Sequence, residues 1–438
     1  MVKKLTLIIM LALLLNGNSF ASGFQINEHG AKAMSLAGAF TALANDASAV
    51  QFNPAALVYL SGTKISLGTT YIRPSGSFEG PDGPLSTKSD LKNRFFTPIN
   101  FYITHKINEK MAVGFGVNNP YGLGTEWEDN WVGRYNAVKT EIRVFNFTPV
   151  FSYKVSDQFS IGLGANIAYA DVEITRALPA ALTPPLSPTV VVLPDGKIDL
   201  SGDDLAYGFN VSFLFRPNDQ WSFGASYKHE LAFDFEGDIT TTIPNVSGYV
   251  PPALVPTVEA ALKAAYPKGT ATAPLTAPSV FTAGTAYKAN DNFTVSADFQ
   301  YTMWSSYDKL TLNFEDGTSS SSIRDYENSF IIRLGAEYIL SDKFALRGGF
   351  LFDKNPIKDE RVDFTLPDND RYGFNLGFGY KFNETISLDV AYMLLVFPER
   401  TITNSKEYIS NPFIAPTPLN GTYNPSANLI GANVSFNL

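Results

Sequence analysis

Six short polar turns recur along the chain, at Asn108-Glu109-Lys110, Ser156-Asp157-Gln158, Pro217-Asn218-Asp219-Gln220, Asn290-Asp291-Asn292, Ser341-Asp342-Lys343 and Asn383-Glu384-Thr385. Each joins two stretches in which apolar residues alternate with small or polar ones, and the connections from one such pair to the next are long. Hairpins with tight turns at one end and long loops at the other belong to an up-and-down antiparallel barrel, and the asymmetry is strongest in outer-membrane barrels.

The clearest strand is Gly373 to Phe382. Phe374, Leu376, Phe378, Tyr380 and Phe382 point one way and Gly373, Asn375, Gly377, Gly379 and Lys381 the other, because strand side chains alternate faces. A soluble sandwich would carry more charge on its wet face, whereas glycine and asparagine suit a crowded lumen. The pattern returns at 159–169, 293–303, 330–338, 344–352, 386–394 and 430–438; with candidates at 64–72, 98–106, 111–117, 138–153, 205–215, 221–233 and 280–288 the count is fourteen. An even count returns both termini to the periplasmic side. In lipid every backbone polar group must be paired internally, so the sheet must close. The expected fold is therefore all-β, a fourteen-stranded antiparallel transmembrane β-barrel. The last strand ends on Leu438 rather than an aromatic residue, which leaves Phe436 as the signal for the barrel assembly machinery.

Residues 1–21 carry Lys3 and Lys4, an apolar run from Leu5 to Leu15 and a small-x-small close at Ser19-Phe20-Ala21, the pattern of a secretory signal peptide cleaved after Ala21. That run is shorter than the ~20 residues of a spanning helix, and no other such run follows. With no cysteine, a thiol nucleophile or thiolate metal site is excluded. A net charge of -9 without a basic cluster argues against nucleic acid as a partner.

Three regions depart from simple alternation. Residues 22–60 are rich in small side chains (Gly30, Ala31, Ala33, Ser35, Ala37, Gly38, Ala39), which suits packing inside a barrel; a periplasmic tail would be more polar. Residues 177–194 are apolar and proline-rich, and 255–266 read as an amphipathic helix with Val258, Ala261, Leu262 and Ala265 on one face. These two loops either pack on each other as a lid or offer an apolar docking surface. Finally, Pro120 cannot donate to a ladder and Gly122 and Gly124 lower strand propensity, so pairing is expected to fail there unless the strand simply ends near Val117.

SGFQINEHG at 22–30, GAFTALANDASAVQFNPAAL at 38–57, NPYGLGTEW at 119–127, MWSSY at 303–307 and LPDNDRYGFNLGFGYKF at 366–382 resemble the FadL family of outer-membrane long-chain fatty acid transporters, including its branch for aromatic hydrocarbons. The resemblance covers the whole mature chain. It implies an N-terminal hatch, residues 22–60, plugging a barrel of residues 61–438. It also implies capture of a hydrophobic ligand by the extracellular loops, a pocket lined partly by the N-terminus, and sideways release into the membrane at a kinked third strand. The family's N-terminal Gly-Phe matches Gly23 and Phe24, and its hatch motif matches Asn53, Pro54 and Ala55. Its kink matches Asn118, Asn119, Pro120, Tyr121, Gly122, Leu123 and Gly124, and the hatch turn is expected to sit against that kink. Arg324 lies where the family can carry a basic ligand contact. The implied location is the outer membrane of a Gram-negative cell. The implied partners are a long-chain fatty acid or other hydrophobic molecule, outer-membrane lipid and lipopolysaccharide, with a monomeric barrel and neither cofactor nor metal.

Other chemistries fit less well. The three histidines, His29, His105 and His229, are not spaced with Ser226 or Asp234 as a hydrolase would need. Acidic Asp199, Asp203 and Asp204 offer at most loose calcium binding. A diffusion porin for hydrophilic solutes is the stronger rival, but a small, apolar hatch would block its channel. Lumen-directed Asp298, Arg333, Glu337, Arg347 and Lys381 either hold the plug or, in the case of Arg333 or Arg347, join Arg324 at the substrate pocket and pair with a substrate carboxylate.

Overall fold

A computed structural model describes residues 23–81, 83–182 and 191–438. The signal peptide, Ser22 and the centre of the proline-rich loop lie outside the described residues. Fourteen strands make the wall: β1 Thr63–Ser75, β2 Ile99–Asn108, β3 in two pieces (Met111–Asn118 and Gly122–Glu126), β4 Lys139–Lys154, β5 Phe159–Leu178, β6 Gly196–Phe215, and β7 in two pieces (Trp221–Lys228 and Leu231–Thr242). They continue as β8, also in two pieces (Gly269–Ala277 and Val280–Lys288), β9 Phe293–Thr302, β10 Ser329–Ser341, β11 Phe344–Asp353, β12 Arg371–Lys381, β13 Ile386–Val396 and β14 Ser426–Asn437. Every neighbouring pair is antiparallel, and β14 closes on β1 in register from Lys64↔Asn437 to Ser75↔Ser426. Closure leaves no free edge for the hydrocarbon to meet.

The alternation sorts the wall. Leu67, Leu163, Phe374, Leu376 and Ile430 are exposed on the outside, whereas Ser66, Asn100, Ser152, Asn375 and Asn433 are buried on the inside. The strands run further than alternation alone indicates: β5 extends to Leu178 rather than Tyr169, and β6 begins at Gly196 rather than Leu205. Past Tyr169 and Leu205 the outward positions turn to Asp171, Glu173, Asp203 and Ser201, so the sheet has left the lipid, while Val172, Ile174 and Leu200 keep much of the inner face apolar below Arg176. Polarity changed there; backbone pairing did not. Above this level the loops form a small four-stranded sheet from Ser77–Glu79, Ser89–Asp90, Arg400–Ile402 and Gly421–Tyr423.

Residues 23–60 lie inside the barrel. Short helices α1 (Ala31–Ser35) and α2 (Ala49–Phe52) and the turn Pro54–Tyr59 pack on the inner faces of the wall strands. The small lumen positions make room: a Cβ on Gly349 would lie 2.5 Å from the Leu36 carbonyl carbon, and one on Gly162 would lie 2.4 Å from the Ala55 nitrogen. The Asn53-Pro54-Ala55 turn does not sit against the β3 break as the resemblance led one to expect. The Asn53 amide donates to the Thr41 and Phe213 carbonyls at 2.8 and 3.0 Å, and Ser152 and Ser160 donate to the Ala55 carbonyl at 3.2 and 2.7 Å, which fixes the turn to β4, β5 and β6. Small hydroxyls on those strands, rather than a gap in β3, supply its partners.

The amphipathic segment is helix α3, Val255–Ala265. Val258 and Leu262 are buried with Ala180, Leu193, Val246 and Tyr266, so the loops pack on each other; Ala261 and Ala265, expected on the same face, are exposed.

Candidate functional site

The break in β3 is a register defect. Asn118 pairs with Asn146 and Gly122 with Arg143, so three residues of β3 face two of β4. The β2 ladder follows β3 only as far as Asn100↔Asn118. Asn119 patches both flanks: its Oδ1 accepts from Ile99 N at 2.9 Å and its Nδ2 donates to the Val144 carbonyl at 2.8 Å. From inside, the N-terminal residues fill the ladder positions that remain. Ile26 N donates to the Pro120 carbonyl at 2.9 Å, and Gly122 N donates to the Phe24 carbonyl at 3.0 Å.

A cavity of about 530 Å³ opens at this defect. Phe95, which is 63% exposed on the outer wall, lines one side together with Phe96 and Ile99; Gly23, Gln25 and Ile26 line the inner side. Inward of it lies a second, apolar cavity of about 90 Å³ bounded by Phe24, Val172, Phe235, Leu310 and Tyr326, with Arg324 at its upper edge. The two cavities share Leu123, Glu141, Ile142 and Leu366, which form the partition between them. Phe24 stands in an aromatic nest, with ring centres 4.7 Å from Trp304, 5.8 Å from Tyr307 and 5.9 Å from Tyr121, all edge-on. The Tyr121 hydroxyl crosses to β8 and donates to the Pro278 carbonyl at 2.9 Å, where that strand is itself broken.

Two acidic groups from one loop set the electrostatics. Asp363 accepts from Arg324 and from Thr365 N and Oγ1 at 2.9 and 2.6 Å. Burial alone would raise the Asp363 carboxyl, but Arg324 and Thr365 outweigh it and hold it below its ordinary value. Asp368 accepts from Gly23 N at 2.9 Å and so ties the N-terminal segment to the loop before β12. Burial raises the Asp368 carboxyl to about 6, although Arg371 pulls it down. In the N-terminal segment itself, burial together with Lys228 and Arg333 depresses His29 to about 3 and keeps it neutral.

The structure brings Phe24 and Arg324 to one cavity and places Gly23, Asn119, Tyr121, Gly122, Leu123 and Gly124 on the other; Asn118 hydrogen-bonds toward Tyr102 and His29 just below. Arg333 and Arg347 are elsewhere. The Arg333 guanidinium donates to Asn27 Oδ1 and Gln300 Oε1, both at 3.0 Å, beside a separate polar cavity of about 40 Å³. Arg347 is spent on Glu337 and Asp389, each at 2.6 Å, with Lys32 of the N-terminal segment 4.0 Å from Glu337. Neither touches the apolar cavity, because each charge is compensated lower in the lumen. Asp363, Asp368 and the nest around Trp304 were not assigned roles from the residues, although the MWSSY and LPDNDR segments that carry the resemblance contain Trp304 and Asp368. Among the described residues, no group of three or more His, Asp or Glu is placed to hold a metal. His229 turns to the Tyr227 hydroxyl at 3.2 Å rather than to a serine.

A closed barrel of lipid-facing strands, filled from within and hollowed beside a break in its wall, is an outer-membrane β-barrel of the transport class. The chain belongs to the outer membrane protein transport protein family (OMPP1/FadL/TodX), whose model matches residues 12–438. It is 29% identical to the 47 kDa outer membrane protein of Pasteurella multocida, over 96% of this chain and 95% of that one. It is 26% identical to the long-chain fatty acid transport protein of Escherichia coli O6:H1, over 86% and 87%. Among solved structures, a Pseudomonas aeruginosa FadL homologue aligns with a TM-score of 0.80 at 23% identity, covering 95% of this chain and 100% of that one. The Pseudomonas putida toluene transporter TodX aligns at 0.69 with 16% identity, over 94% and 99%. These two likenesses speak to the fold. The family carries hydrophobic compounds through the outer membrane and is not an enzyme family.

Proposed function

We propose that this barrel takes up a hydrophobic molecule with an acyl chain and one polar end, a long-chain fatty acid or a related lipid, and releases it sideways through the β3 defect. Residues 23–60 act as the hatch that closes the lumen to water. The observation that carries this reading is the continuity of the larger cavity from exposed Phe95 on the lipid side to Gly23 inside. An apolar chain gains roughly 25 cal/mol per Å² by avoiding water, so passing from the inner cavity into lipid costs less than crossing the periplasm unaided. Movement of Phe24 and Ile26 away from the Leu123–Ile142–Leu366 partition joins the two cavities, and the bonds that hold these residues are few.

The test is a deletion. Removing Pro120 takes out the extra residue of β3 and the missing ladder donor together, so that β3 runs without interruption along β4. Uptake of radiolabelled oleate by cells should then be lost, while oleate binding to the purified protein persists. Normal uptake by the deletion variant would move the exit to a path through the hatch.

A further inference from the structure

Above the apolar cavity lies a third cavity, of about 420 Å³, roofed by the extracellular loops. It meets the apolar cavity at Ile174, Leu310, Leu312, Arg324 and Thr365. Its lining is of another chemistry: Arg176, Arg324, Arg361 and Lys406 supply cations, and Ser320, Ser321 and Ser322 supply hydroxyls. Three of the cations are already matched, Arg324 by Asp363, Arg361 by Glu407 at 2.8 Å and Lys406 by Glu360 at 3.0 Å. Arg176 makes no ion pair among the described residues and lies within the repulsive field of Arg324, which Asp363, already engaged by Arg324, only partly offsets. The Nε atoms of Arg324 and Arg361 are buried without hydrogen-bond partners. The space thus holds a surplus of positive charge and orphaned donors.

A carboxylate is too small to use this room. The cavity takes many waters at about 30 Å³ each, and a bare carboxylate on Arg324 would leave most of it empty or wet. We propose that the preferred substrate is a monoacyl amphiphile with a bulky phosphate-bearing head group, and that Arg176 is the residue that binds the phosphate. The head occupies the outer cavity, where a phosphate brings three acceptor oxygens and the negative charge the lining lacks. The acyl chain descends past Leu310 and Leu312 into the apolar cavity. This rests on the uptake reading above and narrows its substrate.

The experiment is calorimetric titration of the full-length protein in a maltoside detergent with oleoyl lysophosphatidic acid, oleate and monoolein. Lysophosphatidic acid should bind about tenfold more tightly than the other two, the worth of one charge-assisted contact. Arg176→Gln should bring it down to the level of oleate while leaving oleate unchanged. Ser321→Trp, which fills the outer cavity from an exposed position, should likewise exclude lysophosphatidic acid and spare oleate. Equal affinity of lysophosphatidic acid and oleate for the unaltered protein overturns the proposal, as does equal weakening of both by Arg176→Gln. Failure of all three lipids to bind would instead remove the uptake reading itself.

Discussion

Residues 27–60 and residues 23–26 belong to one segment inside one barrel, yet they are held in different ways. The longer stretch is fastened by buried bonds to wall groups: Ala31 N donates to Asn433 Oδ1 at 2.8 Å, Asn375 Nδ2 donates to the Met34 carbonyl at 2.6 Å, and Phe40 N and Thr41 N both donate to Asp298 at 3.0 and 2.9 Å. The shorter stretch lies between two cavities, with backbone bonds to a broken strand, one bond from Gly23 to Asp368, bonds from Gln300 and Thr302 to Gln25 and a ring packed among rings. A segment with void on both sides gives up few contacts when it moves, whereas one sealed by buried polar bonds gives up each at full desolvation cost. On the proposed uptake reading, the plug and the gate are separate parts of one peptide.

That division can be broken most severely at Asp298. Asp298→Ala strands two backbone donors of residues 40 and 41 and removes the negative charge beside Arg333, at a cost of about 3 kcal/mol or more. A clear fall in melting temperature is expected, together with steady large channels in planar bilayers, where the intact protein should pass little current. Large ohmic channels from the intact protein would make it a porin and end the distinction between plug and gate.

A gentler change should free the gate and leave the plug. Gly23 sits at φ +64°, and a Cβ there would come within 2.9 Å of the Trp304 ring. Gly23→Ala should displace residues 23–26 at a cost of about 1–3 kcal/mol, read as lost hydrogen-exchange protection confined to that stretch. Equal loss across residues 27–60 would show that the two regions move as one.

The third expectation concerns pH. The folded Asp368 carboxyl titrates at about 6, above its ordinary 3.8, so its contribution to stability is complete below pH 3.8 and is lost as pH rises through 6. Asp368→Asn keeps an oxygen for Gly23 N and does not titrate. The melting temperature of Asp368→Asn relative to the parent should rise between pH 4 and pH 7, by on the order of 2 °C. A difference independent of pH would mean that Asp368 is ionised throughout. The smallest effect belongs to Ala261→Lys on the exposed side of α3, where stability should change by less than about 0.5 kcal/mol and oleate uptake should be unaltered.

Much of the wall was legible because lipid and lumen impose a period of two, and Gly373–Phe382 shows it without interruption. The β3 defect was legible at Pro120, which lacks a donor wherever it stands, but Gly122 and Gly124, expected to lose pairing with it, sit in the ladder opposite Arg143 and Glu141, because glycine lowers strand propensity without removing a backbone donor. The upper reaches of β5 and β6 were not legible, because above the lipid Asp171, Glu173 and Asp203 look like loop residues although their backbones remain paired. Nor was the seat of Asn53-Pro54-Ala55, which depends on hydroxyls from three strands that only closure of the barrel brings together.

Local order, then, was written into the chain: alternation chose the strands, polar turns set their hairpins, and small residues marked what would go inside. Tertiary structure decided which charges were spent and which were left. Arg347 and Arg324 read alike in sequence, but Arg347 meets Glu337 and Asp389 from two other strands, and Arg324 meets Asp363 from a loop at the edge of two cavities. Gly23 and Asp368 are 345 residues apart, and their bond exists only because a closed sheet returns the end of the chain to its beginning. A charge's role follows from what faces it across the lumen, and closure, not local pattern, sets that.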